Sequence, residues 1–270
     1  IHEIEEKLKL KKSTLFYYSL AEMPINIALF PILVFIPKFY TGEMGVPLAL
    51  AANIILAVRI FDVFTDPVVG YINDRTNTKW GRRRPWIAMA TPLLMLSIYM
   101  LFIPPEGAGA LHLFLWMFLL SIATTMLIIP YYAWGAELSP DYNERSRITG
   151  WRSISGVVGS LSAQLIPTIA LVFFGLGGST NVLYIVGIAS VIIMPICVFL
   201  TVSKVPESKD YIKSNISPIK GFKIMIENSP FKRLIMAFMF GGIAFSITIP
   251  LYLFFITYVL KAEEMAIFML

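Results

Sequence analysis

The sequence predicts an all-α protein that crosses a membrane many times. Three observations carry this. Mean hydropathy is +0.74. Side chains are 57% apolar and only 14% charged, against about 25% charged in ordinary soluble domains. Lys and Arg also gather in every second connector between apolar runs, the pattern of cytoplasmic loops. Disorder is excluded, because it needs low hydrophobicity and high net charge. Cys197 has no partner cysteine, which excludes a disulfide scaffold. A β-barrel would alternate over segments of about ten residues, and nothing here alternates.

A membrane-spanning helix needs about 20 mostly apolar residues. Seven stretches qualify: 14–37, 46–73, 85–104, 110–136, 153–176, 182–203 and 234–260, with an eighth opening near Glu264. No cleavable leader is visible before span 1. Lys7, Lys9, Lys11 and Lys12 precede that span, and Arg75, Lys79, Arg82, Arg83 and Arg84 follow span 2. Arg145, Arg147 and Arg152 follow span 4, and seven more basic residues from Lys204 to Arg233 precede span 7. The opposite connectors hold only Lys38 and Lys261. The N-terminus is therefore expected in the cytoplasm, in a plasma membrane of the bacterial inner-membrane kind. The net charge of +5 reads as topology, with no nucleic-acid partner; membrane lipids and a small-molecule substrate are the expected partners.

Residues 1–203 form a six-helix bundle in this reading. Residues 204–230 form a cytoplasmic linker, in which Ser217-Pro218 opens a basic amphipathic helix with Ile219, Phe222, Ile224 and Met225 on its apolar side. Residues 231–270 begin a second bundle, with helix 7 and the start of helix 8. Ser229 is expected to cap helix 7, with Pro230 in its first turn. The chain opens on Ile1 and closes inside a helix at Leu270, and reads as part of a longer protein.

Charges at membrane depth are costly and mark function by default. Span 2 carries three: Arg59, Asp62 and Asp66. With Gly70 and Asn73 they fall within about 80° on a 3.6-residue helix, a polar stripe expected to look into the bundle. Asp62 and Asp66 lie one turn apart, so one small cation can touch both carboxylates. Two carboxylates with one arginine leave a single negative charge, a seat for Na⁺ or H⁺. The alternative is an Arg59 ion pair that only locks helices together. Glu22 is the acid of span 1, and Pro24 frees a backbone carbonyl beside it. Glu22 and Asn26 are candidate further cation ligands. Tyr132 is a candidate to stack on a substrate. No nucleophile with its base, phosphate-binding glycine loop or zinc-binding helix occurs, so no enzyme and no cofactor are expected. His2 and His112 have no metal-ligand company.

The run Asp66-Pro67-Val68-Val69-Gly70-Tyr71-Ile72-Asn73-Asp74-Arg75, continuing through Trp80-Gly81-Arg82-Arg83-Arg84-Pro85-Trp86, resembles the loop signature of the major facilitator superfamily. Its form is that of the glycoside–pentoside–hexuronide:cation symporters, of which the melibiose permease is the best known. Pro130-Tyr131-Tyr132-Ala133-Trp134-Gly135-Ala136-Glu137 resembles the segment that ends span 4 in the same family. The resemblance covers spans 1 to 7. It implies a major facilitator fold of twelve helices in two halves, monomeric, moving a small solute such as a glycoside by Na⁺- or H⁺-coupled symport and alternating access. By position Asp62 and Asp66 fall on the family's cation carboxylates, Arg59 on an arginine of the same face, and Arg152 on an arginine near the sugar. Asn26 and Ile128 stand where the melibiose permease has sugar-binding aspartates. Lysolipid transporters resembling this family keep the cation carboxylates, so an amphipathic substrate stays open. A non-transporting membrane scaffold is the alternative of another class.

The charges at the basic end of span 2 are read as a conformational latch. Asp74, Arg75, Arg82, Arg83 and Arg84 would meet Glu137, Asp141, Glu144, Arg145 and Arg147 of the loop after span 4. Plain anchoring to anionic lipid is the competing reading.

Overall fold

The computed structural model describes residues 9–175, 179–207, 218–255, 259 and 261. Its elements are α1 (Lys12–Ser19), α2 (Glu22–Val34), α3 (Ile36–Gly42), α4 (Leu48–Arg75), α5 (Arg84–Phe102), α6 (Ala110–Glu137), α7 (Tyr142–Phe174), α8 (Ser179–Lys204), α9 (Pro218–Glu227) and α10 (Ser229–Phe254). No strand occurs among the described residues; one isolated bridge joins Thr78 to Gly81. The chain divides into two units, Ile1–Ser208 and Lys209–Leu270. Among the described residues six stretches are long and apolar enough to span a membrane: Lys12–Leu33, Leu48–Arg75, Arg84–Phe102, Ala110–Glu137, Tyr142–Phe173 and Asn181–Lys204.

Span 1 is not one regular helix. Pro24 has no N–H to offer the Leu20 carbonyl, and its ring crowds that carbonyl, so the helix breaks between Ser19 and Glu22. Pro37 does the same a few turns on, beside the break at Phe35. Span 5 begins at Tyr142, well before the expected 153. Asp141 caps it by accepting the Glu144 amide at 2.8 Å, and the Glu144 carboxylate, instead of turning back to Asp141, accepts the Leu10 amide at 3.1 Å. Arg145, Arg147 and Arg152 therefore stand on a helix, not in a loop.

In the first unit α4 packs on α6 as α7 packs on α2, α5 packs on α6 as α8 packs on α2, and α5 meets α8. These principal packings are unchanged when spans 1, 2, 3 are exchanged with 4, 5, 6, as in the internal repeat of many transporters, whereas the lesser packing of α7 on α8 has no such counterpart. Two phenols lock α1 to α6: Tyr18 Oη donates to the Tyr131 carbonyl at 3.0 Å, and Tyr131 Oη donates to the Tyr18 carbonyl at 2.8 Å. Their rings stack 4.7 Å apart, both fully buried. α7 approaches α2 through Gly156 and Gly159. A Cβ on Gly159 would run into the Met23 carbonyl, so a larger residue would push the helices apart.

Val205, Pro206 and Glu207 fold back onto the first unit, so that unit extends past residue 203. In the second unit α9 packs on α10. Asn228, one residue before the expected Ser229, caps α10 by accepting the Phe231 amide at 3.1 Å. Ser217, residues 176–178 and the eighth span near Glu264 lie outside the described residues.

Candidate functional site

α4 and α6 run parallel, and their polar side chains meet at a constant offset. Thr125 Oγ1 donates to Asp66 Oδ1 at 2.7 Å, and Ser121 Oγ donates to Asp62 Oδ1. Both pairs are 59 residues apart. Two acids one turn apart thus face two hydroxyls one turn apart. Arg59 Nη1 reaches the other oxygen of Asp62 at 3.2 Å. These groups line a cavity of about 310 Å³ whose other walls include Leu29, Ile32, Met117, Leu120 and Ile128. The Thr124 hydroxyl, also on the lining, is buried without a hydrogen-bond partner.

Asn73 of the stripe is fully buried, among the core positions of α4 with Ala51, Ile54 and Val58. Arg59 and Asp66 are exposed and Asp62 is half-buried; these three border the cavity. Its donors are all oxygens: two carboxylates and two hydroxyls. That set suits a small hard cation, which takes oxygen ligands. Among the described residues no three His, Cys, Asp or Glu are grouped to hold a metal ion.

Glu22 and Asn26 belong to a different cluster. Glu22 Oε1 accepts the Tyr132 hydroxyl at 3.0 Å and the Asn26 amide at 3.5 Å. Asn26 also donates to the Glu22 carbonyl at 2.9 Å. Glu22 is buried, and its Oε2 has no partner. Arg152 lies over the Tyr132 ring, 3.9 Å from the centroid. So Glu22, Asn26, Tyr132 and Arg152 come together across α2, α6 and α7. Neither Glu22 nor Asn26 lines the cavity that holds Asp62 and Asp66, whereas Ile128 does.

The basic end carries a third cluster. Glu137 Oε1 accepts from Arg82 and Arg83, each at 2.6 Å. Arg83 also reaches Asp74 at 2.8 Å and donates to Asn73. Burial works against the Arg83 charge, but the carboxylates of Glu137 and Asp74 outweigh it and hold the guanidinium above its ordinary pKa. Glu207 completes the cluster: its Oε1 accepts the backbone N–H groups of Arg82 and Arg83 at 2.6 and 2.7 Å. Gly81 makes this possible. Its φ is +114°, and a Cβ there would occupy the space of the Glu207 carboxylate. Arg84 donates to the Val205 carbonyl at 2.6 Å, and the Trp134 indole donates to the Pro206 carbonyl at 3.0 Å.

Five of the expected latch residues therefore meet: Asp74, Arg82, Arg83, Arg84 and Glu137. Arg75 instead stacks on Tyr71 of its own helix, 4.1 Å from the centroid. Arg145 caps the Ser139 carbonyl at 3.0 Å, and Arg147 pairs with Glu144. Sequence reasoning missed Ser121, Thr125 and Glu207. For the hydroxyls the available signal was their four-residue spacing, which matches that of the two acids.

The family model for MFS/sugar transport proteins matches residues 17–270. The isoprimeverose transporter of Lactiplantibacillus pentosus is 28% identical over 228 residues, 80% of this chain and 46% of that one. The glucuronide carrier protein homolog of Escherichia coli K12 is 29% identical over 146 residues, 53% of this chain and 32% of that one. The mouse sodium-dependent lysophosphatidylcholine symporter 1 is 27% identical over 266 residues, 84% of this chain and 49% of that one. The chain spans about half or less of the length of each of these curated relatives.

Proposed function

The chain belongs to the MFS/sugar transport proteins, in the glycoside–pentoside–hexuronide:cation symporter group of the major facilitator superfamily, and from that premise we propose that it carries the coupling-ion site of a Na⁺- or H⁺-driven symporter. The observation that carries the reading is the paired ladder of Asp62 with Ser121 and Asp66 with Thr125 on one cavity wall. Two carboxylates and Arg59 leave one uncompensated negative charge. Burying such a charge is costly, so occlusion is favoured only once a monovalent cation has neutralised it. Asp62 and Asp66 hold the ion, Ser121 and Thr125 orient the carboxylates, and the protein then rocks between its two open states. The basic end faces the cytoplasm, in a bacterial inner membrane. The cluster around Glu137 and Glu207 ties spans 2, 3 and 4 to the segment after span 6 at their basic ends.

Sodium binding to the intact purified protein, measured by calorimetry at fixed pH, tests the site. Saturable binding that disappears in Asp66→Asn supports it. No sodium heat, together with no proton uptake in liposomes, refutes it. One observation favours an amphipathic substrate over a plain glycoside: Ile128 and its neighbours make most of the cavity wall apolar, and one relative is named for a lysolipid. Sodium-dependent uptake of lysophosphatidylcholine against that of a glycoside separates the two.

A further inference from the structure

A second cavity, of about 560 Å³, lies between α5 and α8 toward the basic end, away from the residues used above except Arg84. Pockets of about 300–1,000 Å³ bury most of a drug-sized ligand. The walls are apolar: Met95 of α5 faces Val198, Phe199 and Val202 of α8, and each helix contributes a proline, Pro92 and Pro195. Ala88, on the first turns of α5, leaves the hollow open. Both helices are membrane spans, so this groove sits where acyl chains are the solvent. An apolar hollow without an occupant forfeits the dispersion contacts of its lining.

The mouth is of another character. Trp80 and Arg84 line it, and Trp80 is 60% exposed. Tryptophan at a membrane boundary sits at headgroup level, with its ring in the apolar region and its N–H in the wet one. Arg84 uses Nη2 on the Val205 carbonyl, and its Nε is buried. Lys79 and Lys204, both exposed, adjoin the lining residues Trp80 and Ser203. Among the described residues the acid paired with Arg84 is Glu207, 3.9 Å from Nε, and its other oxygen is held by two backbone N–H groups. With Arg84 offset by Glu207, the exposed Lys79 and Lys204 leave the rim with a surplus of positive charge above an apolar slot.

We propose that this groove binds one glycerophospholipid with an anionic headgroup: its phosphate lies at the rim of Lys79, Trp80, Arg84 and Lys204, and one acyl chain lies between α5 and α8. The site stands independently of the cation reading, since it shares no residue with Asp62 or Asp66.

The intact protein, stripped of lipid and reconstituted in phosphatidylcholine vesicles, is titrated with phosphatidylglycerol carrying brominated chains. Quenching that depends on Trp80 is the difference between the wild type and Trp80→Phe. That difference is expected to saturate at low mole fraction, with a midpoint severalfold below that of brominated phosphatidylcholine. Ala88→Phe should remove the saturable part by filling the slot, and Lys79→Gln with Lys204→Gln should erase the headgroup preference. Ser203→Phe, at the open end of the groove, repeats the filling test where Ala88→Phe fails to fold. Quenching that rises without saturation and without headgroup preference, as for any lipid-facing tryptophan, overturns the proposal. A saturable component that survives a folded groove-filling variant also overturns it.

Discussion

Replacing Thr125 with valine is expected to weaken sodium binding roughly tenfold. The Thr125 hydroxyl donates to Asp66 at 2.7 Å, and Thr125 itself is buried. A hydrogen bond to a charged group contributes about 1.5–3 kcal/mol. Asp66 is open to solvent, which places this bond at the lower end, near 1.5 kcal/mol, or about one decade in Kd. Two effects oppose one another. Removing the hydroxyl frees the carboxylate from a competing donor, which would tighten binding. It also removes the group that orients the carboxylate and an oxygen whose lone pairs can face the ion. The second effect wins if the hydroxyl keeps its proton on Asp66 while the ion is bound, which the parallel ladder of α4 and α6 permits. Valine matches threonine in shape, so packing is retained. Calorimetry at fixed pH reads the affinity directly, and Thr125→Ser, which keeps the hydroxyl, should retain most of it. Wild-type or tighter binding by Thr125→Val would refute the reasoning and leave the hydroxyl as a mere helix tie.

Glu137→Gln removes the charge shared by Arg82 and Arg83. The cost is expected at about 2–3 kcal/mol, below the 3–5 of a fully buried pair, because Asp74 still faces Arg83; an unchanged melting temperature in detergent would contradict it. Gly81→Ala places a Cβ at φ +114° against the Glu207 carboxylate, a strain of about 1–3 kcal/mol. The segment after α8 should then detach and be cut by trypsin at Lys204 faster than in the wild type. Tyr18→Phe and Tyr131→Phe each lose a buried bond worth about 1 kcal/mol, and as partners in one clamp they should combine non-additively in a double-mutant cycle.

The spans were legible because membrane thickness fixes their length; the break in span 1 was not expected, although its cause, a Pro24 that cannot donate to a carbonyl one turn back, stands in the sequence. The start of span 5 was hidden by its own charges. Arg145, Arg147 and Arg152 counted as loop residues, yet a helix can run on past the apolar slab. The signal that overrides them was present in Asp141, an N-cap residue with an acid, Glu144, in the first turn after it. Asp62 and Asp66 were conspicuous as candidates because acids at membrane depth are rare. Ser121 and Thr125 were not, because most hydroxyls in such helices bond back to their own turn, as Thr91 and Ser97 do here. Glu207 lies 125 residues from the amide of Arg82 that it accepts. Only the folded chain brings it there.

The two outer helices of the first bundle are held by different physics, and that difference predicts which one sodium controls. α7 rests on α2 through Gly156 and Gly159, where a Cβ would meet Asn26 at 3.2 Å or the Met23 carbonyl. α4 has only 17% of its spanning window buried, and its ties to α6 include the two carboxylate–hydroxyl pairs of the proposed ion site. A ligand that binds only the folded state stabilises it by about 2.7 kcal/mol at a hundredfold excess over Kd. A tenfold loss of affinity in Thr125→Val removes about half of that gain. Gly159→Ala should lower the melting temperature with and without sodium by the same amount, because its damage lies in close packing. Thr125→Val should show its largest deficit when sodium is present. If Gly159→Ala also lost the sodium-dependent stabilisation, the α2–α7 contact and the α4–α6 seam would be one cooperative unit, and the assignment of ion control to α4 alone would fall.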